Sequence, residues 1–239
     1  MSKKDIKKYS KLRVLITGGT GFKGSWLLFW LRKIKAKVLG IGLPPEKNNI
    51  IIKSLKLDSS DMIKVQDINN YVETLTLIKN FKPDIIFHLA AQSIVSQSII
   101  DPLNTFKTNI IGSANIIDIA KKFNVPLVMI TSDKCYKNNE WIWAYRENDE
   151  LGSSDPYSAS KACAELVFNS FLKTYYKKNK FLNMATTRAG NVIGGGDMKS
   201  DRILPDLFRA ISSKSPVKIR NPLSTRPWQH VFEPLMGYL

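Results

Sequence analysis

The sequence predicts an α/β fold, a Rossmann-type doubly wound parallel sheet followed by a small C-terminal substrate-binding lobe. Short apolar runs alternate with helical segments, a glycine-rich stretch joins the first run to the first helix, and polar motifs follow several runs. Continuous apolar strands separated by helices are typical of a parallel sheet covered on both faces, which binds ligands at the carboxyl ends of its strands. The sequence therefore predicts a site along that edge.

The predicted elements follow one another regularly. Strands are expected at 13–16, 38–42, 63–66, 85–89, 127–130 and 183–188, and helices at 25–35, 68–81, about 104–123 and 156–176. We expect residues 1–10 to form a polar arm and residues 11–193 a dinucleotide-binding domain. Residues 194–239, which open on three glycines, are expected to form a partial substrate-binding lobe.

The glycine-rich stretch has the spacing G-x-x-G-x-x-G. Without side chains at Gly18 and Gly21 the backbone can approach phosphate oxygens, and the N-terminus of the next helix offers N–H donors and a partial positive charge. Such a pattern alone is weak, because a plain loop can share it. The predicted cofactor contacts in this stretch are Gly18, Thr20, Gly21, Phe22, Lys23 and Gly24.

A second motif, Tyr157-x-x-x-Lys161, follows the strand predicted at 127–130. At helical spacing the two side chains share one face. A lysine ammonium beside a phenol lowers the pKa of the phenol, so Tyr157 can act as a base on a substrate hydroxyl, and Ser132 at the strand end can hydrogen-bond that hydroxyl. Together the two motifs indicate a dinucleotide-dependent enzyme that acts on a hydroxyl group.

The two motifs, in this order, resemble the extended branch of the short-chain dehydrogenase/reductase superfamily, from about Lys11 onward. Finer matches resemble the CDP-glucose 4,6-dehydratase family, which belongs to the NAD-dependent epimerases and dehydratases. The matching segments are 20–26, 88–92, 131–136, 188–197 and 226–230. The resemblance implies NAD as a retained cofactor, CDP-glucose as substrate and the 4-keto-6-deoxy sugar nucleotide plus water as products.

The resemblance also implies the catalytic roles. Tyr157, with its pKa held down by Lys161, removes the proton of the glucose C4 hydroxyl that Ser132 orients, and Asp133 protonates the departing C6 hydroxyl. Lys134 stands where the dTDP-glucose dehydratases carry glutamate. It could be a base with a depressed pKa, a cation that stabilises the enolate, or simply an ion-pair partner of Asp133.

The remaining cofactor contacts implied by the resemblance are Asp67, Ile68, Leu89, Ala90, Ala91, Tyr157 and Lys161. Asp67 is expected at the adenine amino group, with a helix N-cap as the alternative. The acid that usually ends the second strand and binds the adenosine ribose is missing, because Gly42 is followed by Leu43 and two prolines. Glu46 could substitute or could be an exposed loop residue, so the preference for NAD rests on resemblance.

Substrate contacts are expected at Gln92, Asn191, Arg202, Arg220, Arg226 and His230. The guanidinium groups of Arg220 and Arg226 suit a bidentate grip on two phosphates, although surface arginines are the alternative. His88 is expected to be structural. Two positions depart from the resembled pattern: Gly19 replaces a usual histidine, and Ser96-Gln97 replaces a usually basic pair, which leaves the preferred base open.

The composition limits the possible partners. With 239 residues, 44% of them hydrophobic, the chain can bury a large core, and its net charge of +16 comes from lysines scattered over predicted helices without a zinc or nucleic-acid-binding pattern. We expect no nucleic acid and no metal. Apolar runs are far shorter than the roughly 20 residues of a membrane span, so a cytoplasmic protein is expected. Cys135 and Cys163 predict free thiols.

Two expectations concern the whole assembly. A homodimer through the helices at 104–123 and 156–176 is implied by the superfamily resemblance. Relatives continue past the segment 233–239, so we expect much of the substrate lobe to be absent, through truncation or completion by a partner chain. Besides the dehydratase, the sequence leaves open another extended-branch sugar-nucleotide epimerase or dehydratase, and an inactive NAD-binding fragment.

Overall fold

The computed structural model describes residues 7–45, 49–57, 62–152, 154–176 and 183–239. Two expectations fall outside these ranges. Residues 1–6 of the predicted arm and Glu46, the candidate ribose ligand, lie outside the described residues. Residues 7–9 of the arm form one turn of 3₁₀ helix, Lys7–Tyr9.

Six parallel strands form the central sheet. They are β1 (Arg13–Thr17), β2 (Lys37–Gly42), β3 (Ile63–Val65), β4 (Ile85–His88), β5 (Leu127–Ile130) and β6 (Met184–Thr187). Their order across the sheet is β3-β2-β1-β4-β5-β6, and every neighbouring pair is parallel. This is the doubly wound order of dinucleotide-binding folds, with a switch point between β1 and β4. The predicted fold class is confirmed.

Nine α-helices surround the sheet within the described residues. They are α1 (Phe22–Lys33), α2 (Ile50–Ser54), α3 (Tyr71–Phe81), α4 (Val95–Ile100), α5 (Pro102–Phe106), α6 (Gly112–Phe123), α7 (Pro156–Phe171), α8 (Ile203–Ser213) and α9 (Phe232–Tyr238). A π-helical segment, Lys107–Ile111, joins α5 to α6, and another, Leu172–Tyr176, extends α7. The helix expected at about 104–123 is therefore a continuous run with a bulge.

Two predicted helix starts are wrong. The helix expected at 25–35 begins at Phe22, directly after the glycine loop, and ends at Lys33. The helix expected from residue 68 begins at Tyr71, because the Asn70 side chain accepts from the backbone N–H of Glu73 and caps it. Asp67 instead accepts from the N–H of Asn69 and holds the preceding turn, so its alternative role as the N-cap is excluded. The short helices α2 and α4 were not predicted, because neither has enough residues to show a helical period.

Two hydrophobic clusters cover the two faces of the sheet. Alternate β1 residues serve opposite faces: Val14 and Ile16 join one cluster and Leu15 joins the other. The first cluster is completed by α1, α2 and α9, and the second by α3, α6 and α7. Burial on both faces explains why the strands read as continuous apolar runs.

The C-terminal residues return to the sheet domain. A two-stranded parallel sheet pairs β7 (Val192–Ile193) with β8 (Gln229–His230), and α9 follows directly. Phe232 packs edge-to-face on Trp26 and Trp30 of α1, with centroid distances of 5.2 and 5.1 Å. Val231 and Leu235 are fully buried in the first cluster. The residues between β7 and β8 thus leave the sheet domain and come back to it.

Two further expectations can be compared with the structure. Cys135 and Cys163 are both free cysteines, as predicted. Across the described ranges, none of the helices has the length and apolar character that a bilayer crossing requires.

Candidate active site

The sequence motifs converge on the carboxyl edge of the sheet. The glycine loop follows β1, residues 89–92 follow β4, Ser132 to Lys134 follow β5, and residues 188–191 follow β6. Because neighbouring parallel strands end at the same edge, these four segments lie side by side around the switch point. Helix α7 delivers Tyr157 and Lys161 to the same edge, where it packs against the turn of 3₁₀ helix Asp133–Cys135.

The glycine loop fits a dinucleotide diphosphate. Gly18 has a φ of +72°, and a Cβ there would lie 2.7 Å from the backbone nitrogen of Ala90. A Cβ on Gly24 would lie 2.1 Å from the Gly18 carbonyl oxygen, so α1 starts directly against the loop. Unlike α3 and α7, helix α1 has no side-chain cap at its N-terminus. Its first N–H groups are therefore available to an anionic ligand.

His88 belongs to a chain of hydrogen bonds across the sheet edge. Its Nδ1 lies 2.6 Å from Thr17 Oγ1 and its Nε2 lies 3.0 Å from Ser113 Oγ, which itself donates to the Asn109 carbonyl. The Ser113 hydrogen is thereby used, so Nε2 is the donor and Nδ1 accepts from Thr17. Burial lowers the pKa of His88 to about 3, and the Lys161 charge adds to this. The geometry agrees with a structural role.

Helix α7 fixes the Tyr/Lys pair. Asp155 caps it by accepting from the backbone N–H of Ser158 at 2.9 Å, with Pro156 in its first turn. Tyr157 and Lys161 are 8% and 6% exposed and lie one turn apart. The Asn109 side chain, in the π segment, donates to Ser160 Oγ at 2.8 Å and ties the two helices together beside Lys161.

The electrostatics of this pair differ from expectation in one respect. Burial raises the pKa of Tyr157, and this outweighs a hydrogen bond with Ser132 and the charge of Arg202, which lower it. Burial also lowers the pKa of Lys161 to about 8, helped by the Lys23 charge. The predicted depression of the Tyr157 pKa by Lys161 is therefore not seen. The cause is that Tyr157 is almost completely removed from water.

Asp133 and Lys134 are not an ion pair. The Ser132 hydroxyl donates to Asp133 Oδ1 at 3.0 Å and accepts from the backbone N–H of Lys134 at 3.2 Å. No salt bridge joins the two side chains, both of which lie within the described residues. The alternative that Lys134 merely pairs with Asp133 is excluded. Both side chains are half-buried at the end of β5.

Lys23 and Tyr238 add a second polar group to the site. Lys23, in the first turn of α1, donates from Nζ to the Tyr238 hydroxyl at 3.3 Å. The pKa of Lys23 is lowered to about 8, chiefly by burial and also by the Arg202 charge, against the opposing charge of Asp133. The Lys23 ammonium therefore interacts electrostatically with Asp133 of the predicted catalytic group.

The expected substrate residues are not all brought together. Arg202 donates from Nη1 to both carboxylate oxygens of Asp197, at 3.0 and 2.9 Å, and from Nη2 to Ser93 Oγ. The Arg202 charge acts on both Tyr157 and Lys23. Arg220 is instead 55% exposed and held by Asp201 at 2.7 Å. Arg226 is exposed. Of the three arginines, Arg202 is the one beside the catalytic residues.

The side chains of the other three expected substrate residues differ in how free they are to contact a ligand. Gln92 uses its side chain within the protein, donating to the Ile94 carbonyl and to Thr105 Oγ1 while its Oε1 accepts from the Ile94 N–H. Asn191 accepts from the Gln229 N–H through its carbonyl and keeps a half-buried side chain. His230 is exposed in β8.

The remaining residues expected to contact the cofactor lie in two places, one beside Gly18 and one at the end of β3. Ala90 and Leu89 lie against Gly18, and the Ala90 N–H donates to Thr17 Oγ1 at 3.1 Å, with Ala91 next in the chain. Asp67 is exposed at the end of β3, and the buried Ile68 packs beneath Gly112.

Sequence reasoning missed three residues that shape the site. Asn109 and Glu165 are buried polar residues inside helices, a placement that calls for a partner, but nothing in the sequence distinguishes them from exposed positions. Glu165 accepts from Arg188 at 2.9 Å and binds α7 to β6. Nothing in the sequence indicates that Tyr238 belongs to the site, because its contact with Lys23 depends on the packing of α9 against the sheet domain.

The sequence profile of the NAD dependent epimerase/dehydratase family matches residues 14–234. The chain belongs to this family. The match supports the predicted NAD cofactor. Among curated proteins, a CDP-glucose 4,6-dehydratase of Salmonella typhimurium is 44% identical over 95% of this chain, and a UDP-glucose 4-epimerase of Mycoplasma genitalium is 27% identical over 87%. The chain spans 65% and 62% of the lengths of these two relatives.

Solved structures confirm the fold. An epimerase from Methanothermobacter thermautotrophicus has a TM-score of 0.84 at 26% identity, covering 98% of this chain and 68% of that one. A dTDP-glucose 4,6-dehydratase from Bacillus anthracis, solved in complex with NAD, has a TM-score of 0.81 at 23% identity, covering 95% and 70%. Because the Bacillus anthracis enzyme is only 23% identical, its similarity to this chain is evidence for the fold alone.

Proposed function

We propose that this chain is the dinucleotide-binding and catalytic part of a CDP-glucose 4,6-dehydratase, which converts CDP-glucose to CDP-4-keto-6-deoxyglucose and water. The observation that carries the proposal is the 44% identity to the Salmonella enzyme over 95% of the chain. The grouping of Ser132, Asp133, Tyr157 and Lys161 at one edge of the sheet supports it, because the reaction needs a hydroxyl base and an acid for the leaving group.

The chain's residues suit NAD. The uncapped N-terminus of α1 and the glycine loop would hold the diphosphate, and Leu89, Ala90 and Ala91 would line the cleft beside it. Ile68 and the exposed Asp67 lie at the outer end of β3, where the adenine would be bound. Bound NAD would supply the reversible oxidation at C4 of the glucose and would be regenerated within each turnover.

Tyr157 would remove the proton of the C4 hydroxyl. The raised pKa of Tyr157 opposes this, so ionisation would depend on a nearby positive charge. Lys161, one turn along the same helix, and Arg202, whose charge already acts on the phenol, are the cations available. Ser132, which already hydrogen-bonds the phenol, would orient the C4 hydroxyl.

Asp133 would then protonate the C6 hydroxyl as it leaves as water. Its contact with the Ser132 hydroxyl holds the carboxyl one residue from the group that orients C4, so one segment would serve both ends of the elimination. Lys134 lacks an ion pair with Asp133, and either of its remaining roles, base at C5 or cation beside the enolate, would be open to it.

Substrate binding would begin at Arg202, the arginine beside the catalytic residues. Its guanidinium is held rigidly by Asp197 and Ser93, which suits it to a phosphate or sugar oxygen. Arg220 and Arg226 would join from the segment between α8 and β8, with Gln92, Asn191 and His230 at the sugar. Release of Arg220 from Asp201 would be needed for a grip on the diphosphate.

An epimerase is the less favoured alternative. Such an enzyme shares the Tyr/Lys pair but has no need of an acid at C6 or of a cation at Lys134, and the relative with that activity is only 27% identical. An inactive NAD-binding fragment is the other alternative, because the chain spans 65% of its dehydratase relative.

The protein would act as a homodimer. Large apolar side chains are exposed on the two helices expected to pair, at 104–123 and 156–176, and also on α4 and the start of α5 just before them, which is unusual for a monomer surface. They are Ile99, Ile100, Leu103, Ile111 and Leu166. Two copies of this face would bury them against each other, away from the carboxyl edge of the sheet.

Mass spectrometry of CDP-, dTDP-, UDP- and GDP-glucose incubated with the protein and NAD tests the function. We expect loss of one water from CDP-glucose alone. Asp133→Asn should abolish the loss while NAD still binds, whereas the matched change Asp206→Asn, at a half-buried carboxylate of α8 that pairs with Arg209, should leave it intact. An undiminished rate in Asp133→Asn would contradict the assigned acid. NAD binding with no water lost from any sugar would favour the inactive fragment.

A further inference from the structure

Glu165 is a buried carboxylate that the reaction as described does not use. It stands in the third turn of α7 and is 1% exposed, so a charge there is costly unless it is fully partnered. Tyr157, Lys161 and Glu165 follow one another at intervals of four residues and therefore share one face of the helix. The face of α7 that carries the predicted base thus also carries a negative charge.

The hydrogen-bond partners of Glu165 come from two neighbouring strands. Its Oε1 accepts from the hydroxyl of Thr131, which lies between β5 and Ser132. Its Oε2 accepts from Thr186 Oγ1 in β6 at 3.1 Å and from Arg188 Nη2 at 2.9 Å. The two carboxylate oxygens therefore bind different strands, and the oxygen on the β5 side is bound to the residue that precedes Ser132.

Arg188 extends from the ion pair toward the segment that follows the catalytic residues. Its Cζ lies 4.8 Å from the centroid of the Tyr136 ring, and its Nη1 donates to the Glu147 carbonyl at 3.0 Å. The guanidinium end of the pair therefore lies against the residues after β5. The carboxylate end lies on α7, one turn from Lys161.

We propose that Glu165 is a positioning residue for the catalytic group. Its bond to Thr131 holds the end of β5, and with it Ser132, against α7. Its carboxylate also balances the ammonium of Lys161, one turn away on the same face. Glu165 would act through these residues and not on the substrate. The proposal rests on the proposed function, because it concerns the alignment of groups that would act on the C4 and C6 hydroxyls.

The charges around Lys161 support this role. The pKa of Lys161 is lowered to about 8, chiefly by burial and also by the Lys23 charge from α1, whereas Cys135 and Glu165 oppose the shift. Burial raises the pKa of Cys135 to about 12, so its thiol is uncharged near neutral pH and Glu165 supplies the negative charge that favours the ammonium. His88 on β4, whose pKa is lowered to about 3, is neutral in the same range.

Two matched variants test the contact with the end of β5. Thr131→Val and Thr186→Val each remove one hydroxyl that donates to the Glu165 carboxylate, but Thr131 alone of the two adjoins the catalytic segment. The Thr131 hydroxyl also donates to the Thr187 carbonyl at 3.2 Å, and that carbonyl keeps its bond from the Thr131 backbone N–H at 2.9 Å.

The rate of water loss from CDP-glucose distinguishes these two variants. We expect Thr131→Val to lower kcat about threefold to thirtyfold with little change in KM, because misplaced groups slow the chemical step without weakening ground-state binding. Thr186→Val should keep the parent kcat. The melting temperatures of the two variants show whether their stabilities are comparable.

The titration of Lys161 gives a second readout, which needs no turnover. NMR of the protein carrying isotope-labelled lysine follows the titration of each Cε, and Lys161→Met identifies the signal. In Glu165→Gln, which keeps the side-chain size and removes the charge, Lys161 is expected to titrate at a lower pH than in the parent protein. In Thr186→Val it should titrate as in the parent protein.

A double variant keeps the test decisive if Glu165→Gln does not fold. Glu165→Leu combined with Arg188→Met removes both members of the buried pair, a replacement that is often neutral for stability. We expect it to melt near the parent protein but to retain the lower Lys161 titration and a reduced kcat. Parent values of both quantities in this variant would reduce Glu165 to a structural residue.

The outcomes separate this proposal from the proposed function. Parent kcat in Thr131→Val, or an equal loss of kcat in Thr131→Val and Thr186→Val, would overturn the proposal and leave the dehydratase intact. If the parent protein releases no water from any sugar nucleotide, the dehydratase function is contradicted and the Lys161 titration decides alone. An unchanged titration in Glu165→Gln would then overturn the proposal, and a titration at lower pH would support it.

Discussion

Gly19 and Gly40 lie in contact where the glycine loop passes β2: a Cβ on Gly19 would stand 2.6 Å from the Gly40 Cα. The Gly19 N–H donates to the Ile41 carbonyl at 3.0 Å, which fixes the approach of the two backbones. The histidine usual at this position in the resembled family has no space here. The departure from the family pattern at Gly19 is thus matched by a second glycine on β2.

Gly19→Ala is expected to lower the free energy of unfolding by about 1–3 kcal/mol, because the loop must move away from β2 to admit one methyl group. Gly237→Ala is the control: it lies inside α9, where an added Cβ meets nothing within 4 Å, and alanine is the better helix former. That variant should be neutral or slightly more stable. Urea unfolding of the two variants gives the comparison, and equal stability of Gly19→Ala and the parent protein would refute the close contact.

The buried pair Arg188–Glu165 should dominate the stability of the α7–β6 contact. Glu165 is 1% exposed and also accepts from Thr131 and Thr186, so Arg188→Met would leave a buried carboxylate without its counter-ion and cost about 3–5 kcal/mol. Lys137→Met breaks the exposed pair with Glu150 and should cost at most about 1 kcal/mol. Urea unfolding at neutral pH distinguishes the two variants.

Acid should reduce the difference between the parent protein and Arg188→Met. Burial alone would raise the pKa of Glu165, but hydrogen bonds from Arg188 and Thr131 and the Arg188 charge leave it below its ordinary value. A carboxyl with a lowered pKa stabilises the fold above its unfolded pKa, near 4.3, and loses that contribution as the pH falls through the folded pKa. If the difference in unfolding free energy between the parent protein and Arg188→Met grew as the pH fell, the lowered pKa of Glu165 would be contradicted.

His88 should make the fold sensitive to mild acid. Its pKa is lowered to about 3 by burial, so between about pH 6.5 and 3 the unfolded chain binds a proton that the folded chain does not. Stability therefore falls with decreasing pH in that window, by about 1.4 kcal/mol per unit once the unfolded histidine is fully protonated. Unfolding at pH 7, 6 and 5 should show a shallower slope for His88→Asn. The parent slope should persist in His230→Asn, which changes the exposed histidine.

Leu103→Glu should separate the proposed dimer. Leu103 is 78% exposed on α5, within the apolar face that the dimer would cover, and a buried carboxylate there would be strongly disfavoured. Light scattering after gel filtration should give a dimer mass for the parent protein and a monomer mass for the variant. Val72→Glu, on the exposed side of α3, should remain dimeric. A monomer mass for the parent protein would contradict the proposed homodimer.

The sequence was sufficient for the sheet and for the catalytic edge. All six predicted strands are present. The four central ones, β2, β1, β4 and β5, are apolar along most of their length because they are buried on both faces, whereas the edge strands β3 and β6 are only partly buried. Tyr157 and Lys161 share a helix as their spacing requires. The motifs after β1, β4, β5 and β6 had to meet, because parallel strands bring their carboxyl ends to one edge.

The other features of the site depend on contacts between residues that are far apart in the sequence. The pKa of Tyr157 follows from how completely the surrounding chain excludes water, which spacing to Lys161 does not reveal. Arg220 and Arg226 have the residue type for a phosphate grip, but Asp201 holds the first and the second is exposed. Tyr238 joins Lys23 across 215 residues, through the packing of α9.

The return of α9 to α1 also bears on the order in which the molecule can fold. Val231 and Leu235 complete the layer that covers Val14 and Ile16, so one face of the earliest strand is sealed by residues translated more than 200 positions later. Contacts of such long sequence separation slow folding and leave apolar surface open in the meantime. A nascent chain carrying the whole glycine loop would still expose that face to water, and to chaperones, until α9 emerged from the ribosome.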